Sequence, residues 1–503
     1  MLLSLLACAD TDPAEGAPPR PEDTATPEDT ATLVVLSEQV DVIVVGAGPA
    51  GTAAAISARE AGASVLLLDR EEEPGAGLLS GGQVFAVGTR WQEERGIVDS
   101  LEVARADWPA ITAAEGDTPG VLDFLANSAA TLEWLEGFGL RVIGVNADRE
   151  AGSVARVHAL DWSPVGNALG LYQSFDGELR PGVEVTAPVM EGGAVVGVQW
   201  IDVNTGETGA SGAGAVVIAT GGFVRQREEV DRVMPEVAGR RLVFEANYHS
   251  DGGGLPFLDV VGAARIAPEQ IGIYVHSIRD PFLAEGESIL AIGSEAGILV
   301  DSAGERFTNE ELQRSFDLFD QLPEGDFYAV LAGRLVEELQ FQRPGYNWAV
   351  FDQPEVMDRS VLEDASEDLF LGDSPEEVAA AAGVDVEGLL ATLDQWNLAV
   401  STGASDTFGR DLANAPRLEG STWALLRLTP GLAKNFGGVS TDAGAHVLDA
   451  NGVPIPGLYG AGEVAGMVLG GGGGDGFTGS VNACYWGGRV AGTEAAQFAA
   501  AGP

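Results

Sequence analysis

The order of apolar and polar positions is most regular near residue 40. Residues 40–45 form an almost unbroken apolar run, the mark of a strand buried on both faces of a parallel sheet. A glycine turn follows. Small residues over 52–61 then predict a helix that can pack closely on its neighbours. A second apolar run, 64–68, predicts an adjacent strand and ends in an acid, Asp69. Residues 216–219 repeat the buried-strand pattern and turn at Thr220-Gly221-Gly222. Near the C-terminus, Val447-Leu448-Asp449 and Asn451-Gly452 predict a hairpin. "GLYGAGEVAG" predicts a strand entering a glycine-rich turn that carries Glu463, and Ser480 opens a second small-residue helix with Val481 behind it.

The first of these patterns carries chemistry. Gly46, Gly48 and Gly51 complete G-x-G-x-x-G, with Pro49 and Ala50 between the last two. Gly46 allows the tight turn, Gly48 lets backbone approach a pyrophosphate, and Gly51 lets helix pack on strand. The helix offers its N-terminal N–H groups and positive dipole end to phosphate. Asp69 lies roughly 20 residues on, where an acid bonds a ribose hydroxyl, with Arg70 beside it. Ser80-Gly81-Gly82 adds a small-residue loop that a flat ring or phosphate can approach. A dinucleotide site is expected; these residues alone do not separate FAD from NAD. The N-terminus of the Ser480 helix can aim its N–H groups at negative charge developing on a reduced flavin.

Composition narrows the partners. The chain has 503 residues, which suggests two or three domains. Lys+Arg is 27 against Asp+Glu 76, a net charge of −49, which repels nucleic acid and anionic lipid. Two cysteines, Cys8 and Cys484, exclude a disulfide scaffold. The four histidines (His158, His249, His276, His446) lack metal-ligand spacing, so no metal site is expected. The only lysine is Lys434.

At the N-terminus, Leu5-Leu6-Ala7-Cys8 resembles a bacterial lipobox, and a Pro/Thr/Glu/Asp-rich stretch follows. Together they predict an envelope lipoprotein anchored through Cys8, periplasmic or surface-exposed. The alternative is a cytoplasmic protein with a disordered tail, favoured by the lack of a basic n-region.

The ordered set of Gly46–Gly51, Asp69, Ser80-Gly81-Gly82, Ala219–Phe223, Asp251-Gly252, "GILVDSAGERFTNE", "LDQWNLAVSTGASDTFGR" and "IPGLYGAGE" resembles the fumarate reductase / succinate dehydrogenase flavoprotein family, which includes ketosteroid dehydrogenases. The resemblance covers nearly all of 40–495. It implies FAD as cofactor, with Asp69 on the adenosine ribose, Glu463 on the ribityl chain and the Ser480 helix on the flavin pyrimidine edge. Ala219, Thr220, Gly221 and Asp251 join the nucleotide contacts.

The fold it implies is α/β. A Rossmann-like two-dinucleotide-binding FAD domain, mostly parallel sheet, is built from both ends of the chain with an inserted α+β cap domain. The expected boundaries are 1–8 for the lipobox, 9–38 for a disordered tether, 39–265 and 418–503 for the FAD domain, and 266–417 for the cap.

The family moves a hydride between flavin N5 and a carbon beside an activating carbonyl. Its fumarate reductases use a proton-donating arginine after an R-F-x-N-E block. Here that block is Arg306–Glu310, and Arg314 stands at the corresponding place. The relay that feeds the arginine is missing, with Leu290 and Gly293 at its positions. Lys434 replaces a carboxylate-binding histidine, and Asp475 lies where a second arginine is expected. These departures argue against fumarate. Lys434, with its compact ammonium, is a candidate for stabilising an enolate or anionic flavin. His276 lies near a substrate-binding histidine of the family, with Tyr274 a weaker candidate. Cys484 is expected to serve packing.

The leading expectation is therefore an FAD-dependent oxidoreductase acting on a C–C bond beside a ketone or enone. It would use a small-molecule substrate and an unidentified electron donor or acceptor. One alternative is a reductase of fumarate-like acids. Another is a non-catalytic flavin-binding envelope lipoprotein.

Overall fold

A computed structural model describes residues 35–72, 83–112, 118–146, 152–160, 171, 174–246, 248–266, 270–312, 316–319, 321–343, 356–470, 477 and 480–502. Residues 36–503 belong to one compact unit. The lipobox, most of the tether, Ser80-Gly81-Gly82, Arg314 and Asp475 lie outside the described residues.

The central sheet runs in the order His446–Leu448, Pro454–Gly460, Thr208–Ile218, Gln39–Val45, Val65–Leu68, Glu178–Arg180. An antiparallel hairpin, Val183–Glu191 and Ala194–Asp202, continues from Thr208–Ile218. The core strands are parallel and buried on both faces. Val42 and Val44 join one apolar cluster, Ile43 and Val45 the other. Register brings the strand ends level. Val45 pairs with Leu68 on one side and Ile218 on the other, and Ile218 pairs with Gly460. Four turns therefore share the carboxyl edge of the sheet: the one at Gly46, the one at Asp69, Thr220-Gly221-Gly222, and the turn leading to Glu463.

Several boundaries differ from the sequence pattern. The first helix is Pro49–Glu60, because Pro49, with φ preset for a helix, takes its first turn. The strand expected at 216–219 is the end of an eleven-residue strand whose earlier half, glycine- and alanine-rich, hides the apolar pattern. The predicted hairpin forms as His446–Leu448 against Pro454–Gly460.

The last helix, Val481–Ala501, lies on the first. A Cβ at Gly488 or Gly492 would overlap the carbonyl of Ala50 or Ala54, so the two backbones touch. Cys484 packs beside this contact, and burial pushes its thiol up.

A second sheet has the order Val243–Phe244, Thr429–Asn435, Ile271–Arg279, Ser288–Ile292, Gln340–Gln342, Val356–Met357. A third is Ile298–Asp301, Phe327–Ala332, Trp423–Arg427, Leu369–Gly372. One buried acid joins them. Asp368 takes Arg279 of the second sheet, Arg427 of the third and Arg241, at 3.2, 2.8 and 2.6 Å. Burial opposes its ionisation, but the three guanidinium groups hold its carboxyl below the usual range.

The R-F-x-N-E block is also a buried ion cluster. Arg306 pairs with Glu310 at 2.8 Å and Asp406 at 2.6 Å, and Arg410 reaches Glu310 at 3.0 Å. Trp396 lies under both arginines. This cluster anchors the segment that leads to Arg314.

Candidate functional site

The glycine turn is built as its spacing requires. Gly46 has φ +98°, and a Cβ there would collide with the Ala219 carbonyl. A Cβ at Gly51 would overlap the Gly46 carbonyl, so strand and helix can meet only through glycine. Gly48 is different: a Cβ there would meet nothing within 4 Å. The helix behind it has no side-chain cap and no acid in its first turn. The open space over Gly48, at the start of this uncapped helix, is an arrangement suited to a phosphate.

Asp69 holds this turn from below. Its oxygens accept the N–H groups of Ala47 at 2.6 Å and Glu71 at 2.8 Å. Burial raises its carboxyl above the ordinary range, with those two N–H groups pulling the other way. Arg70 pairs with Asp251 at 2.7 Å, so two expected nucleotide residues bind each other across the edge. Thr220 turns its hydroxyl toward Gly254, where a Cβ would overlap it. Gly221, with φ +82°, reverses the chain.

The sequence pattern did not single out Asn435. It is fully buried and ties the turns together. Its Oδ1 accepts the Phe223 N–H at 2.9 Å, and its Nδ2 donates to the carbonyls of Gly437 at 3.2 Å and Glu463 at 3.0 Å. Its backbone N–H donates to Glu463 Oε1 at 3.2 Å. Burial pushes the Glu463 carboxyl up to about 7, opposed by that N–H and by Lys434.

Ser480 begins the last helix without a side-chain cap, and no acid stands in its first turn. Asn482 there donates to the carbonyls of Phe85 and Ser128, and its buried Oδ1 has no hydrogen bond among the described residues. Val481 follows Ser480, and both are partly buried.

Lys434 and His276 lie on one face of the second sheet through two register shifts. Gly272 pairs with Lys434 but Ile273 with Leu432, so the strand Thr429–Asn435 holds one extra residue. Leu432 faces the core, and the bulge turns Lys434 to the opposite side. Its Nζ donates to the Phe477 carbonyl at 2.7 Å and lies 5.2 Å from the Phe436 ring. The second shift falls between Tyr274 and Ser277. Ile271, Ile273 and Val275 face the core before it, Ile278 after it. Tyr274, His276 and Ser277 are left on the side of Lys434, and the Tyr274 and His276 rings stack at 5.6 Å. Leu290, across from Ser277, puts an apolar residue on this face.

A sequence family described as the FAD binding domain matches residues 41–477. A probable fumarate reductase of Shewanella frigidimarina is 28% identical over 450 residues, covering 86% of this chain and 71% of that protein. A KsdD-like steroid dehydrogenase of Mycobacterium tuberculosis is 28% identical over 558 residues, covering 91% of this chain and 96% of its own length. Among solved structures, the open conformation of a flavocytochrome c3 fumarate reductase aligns with a TM-score of 0.71 at 25% identity, over 92% of this chain and 79% of that one.

Proposed function

Because the chain belongs to the FAD binding domain family and is an FAD-dependent oxidoreductase, we propose that its substrate is a ketone or enone with a reducible or oxidisable carbon–carbon bond beside the carbonyl. FAD supplies the hydride chemistry at the flavin ring. The open space over Gly48 and the two uncapped helix ends, at Pro49 and Val481, support a diphosphate and a flavin edge held there. In this reading Asp69 orders the turn beneath the ribose, and Glu463 with Asn435 lines the ribityl side.

The observation that carries the substrate preference is the face around Lys434. Among the described residues it presents the ammonium of Lys434, the imidazole of His276 and the phenol of Tyr274. Arg279, the arginine of this strand, is tied to Asp368 and Glu367. A single carbonyl oxygen needs one such donor, and a dicarboxylate needs two clamps. Lys434 and His276 hold the oxygen in this proposal, and Arg314 delivers the proton to carbon, a role that rests on the resemblance alone. Reduction of fumarate-like acids is the second reading, favoured by the probable fumarate reductase relative.

The test is to reduce the flavin without oxygen and follow its reoxidation by cyclic enones and by unsaturated acids. Reoxidation by enones alone is expected. Fast reoxidation by fumarate overturns the preference.

A further inference from the structure

Glu245 is a buried acid that the reading above leaves without a task. It follows the strand Val243–Phe244, and its side chain is only 3% exposed. Its Oε1 accepts the Ser277 hydroxyl at 2.5 Å, and its Oε2 lies 3.4 Å from His276 Nε2. Two consecutive strand residues normally point to opposite faces and cannot share one carboxylate. The register shift between Tyr274 and Ser277 removes that alternation, and both side chains reach Glu245. Room for the carboxylate comes from Gly431, where a Cβ would overlap Glu245 Oε1. Bulge, glycine and buried acid thus converge on one imidazole nitrogen. The other, Nδ1, has no hydrogen bond among the described residues, and the side chain is 12% exposed on the face of Lys434.

We propose that Glu245 is a positioning residue that accepts the Nε2–H of His276 as a hydrogen bond and so assigns Nδ1 to the substrate's carbonyl oxygen. A carboxylate on one ring nitrogen selects which nitrogen is left for chemistry. With the ring protonated, Nδ1–H hydrogen-bonds the oxygen. As a hydride reaches the β carbon, the electron pair moves to that oxygen and the Nδ1 proton passes to it, giving an enol and a neutral ring whose Nε2–H still donates to Glu245; when the α carbon takes its proton, the enol proton returns to Nδ1. In the oxidative direction the same proton returns to Nδ1. This inference rests on the oxidoreductase reading above.

The test uses FAD-loaded protein with isotope-labelled histidine, the ring nitrogens of His276 being assigned with His276→Asn. In the neutral ring, Nε2 is expected to carry the proton. Photoreduction of the flavin is expected to move the His276 Nδ1 resonance while His158 and His446 stay in place. Glu245→Gln replaces an acceptor with a group that also donates, and the share of the Nδ1–H tautomer is expected to rise several-fold. A neutral parent ring with Nε2 unprotonated, or a His276 resonance indifferent to photoreduction, overturns the assignment. A protein without reducible FAD removes the reading beneath it, and the inference with it.

Discussion

The backbone of Asn435 donates to the Glu463 carboxyl while its side chain donates to the Glu463 carbonyl, so one residue holds another at both ends. The same side chain accepts from Phe223, in the turn after the strand Thr208–Ile218. Asn435→Ala leaves a buried N–H and two carbonyls without their partner. The expected cost is on the order of 3 kcal/mol, read by urea unfolding, with loss of bound flavin. A variant within about 0.5 kcal/mol of the parent would show that water replaces the amide.

Gly48 and Gly51 separate flavin binding from folding. Gly48→Ala meets no atom and is expected to leave the stability of flavin-free protein within about 1 kcal/mol, while flavin occupancy falls sharply. Gly51→Ala forces Cβ onto the Gly46 carbonyl and is expected to lower the melting temperature itself. Absorbance ratio and thermal scans read the two effects. Equal occupancy in Gly48→Ala and parent would place the phosphates elsewhere.

Glu463 sets a pH slope. In the unfolded chain its carboxyl ionises near 4.5, in the folded protein near about 7. Between these values the unfolded state has lost a proton that the folded state keeps, so rising pH favours unfolding. The penalty is absent below the window and complete above it, on the order of 3 kcal/mol for flavin-free protein. Glu463→Gln is expected to flatten this slope and to be the more stable at pH about 8. An unchanged slope would show that Glu463 is ionised throughout.

Lys434 lowers the Glu463 carboxyl, so Lys434→Met is expected to extend that slope to higher pH. If the ammonium also meets the substrate oxygen, reoxidation of the reduced flavin slows by roughly a hundredfold, and Lys434→Arg restores little of it. Full activity in Lys434→Met would confine the lysine to its bond with Phe477.

Asp368→Asn leaves Arg241, Arg279 and Arg427 around a neutral amide. A loss on the order of 3 kcal/mol is expected, measured by denaturation near neutral pH. In the parent the carboxyl lies below its ordinary range, so this stabilisation is present above the unfolded value of 3.8 and is lost as pH falls through the folded value. The difference between parent and variant should therefore shrink in acid.

The edge of turns at Gly46 and Asp69 was legible because each part is a local pattern: an apolar run, a glycine turn, an acid at the end of a strand. The level ends of four strands then follow from parallel pairing alone. Asn435 and Glu245 were hidden for the opposite reason. Their partners lie far away in sequence, and a lone Glu between Phe244 and Ala246 is visible only as an acid in an apolar run. Tyr274, His276 and Lys434 could be suspected singly. Their common face depends on two inserted residues in paired strands, which no period of two along either strand reveals.

The contact between the helices Pro49–Glu60 and Val481–Ala501 also has a meaning in time. More than 400 residues separate the two partners. At ribosomal speeds of about 5–20 residues per second, the first helix waits tens of seconds for the surface that covers its small residues. During synthesis the nascent chain holds the Gly46–Gly51 turn before its roof has been made. Flavin capture that needs both helices is therefore expected to come late in biogenesis, and the uncovered first helix is where a chaperone would have the longest opportunity to act.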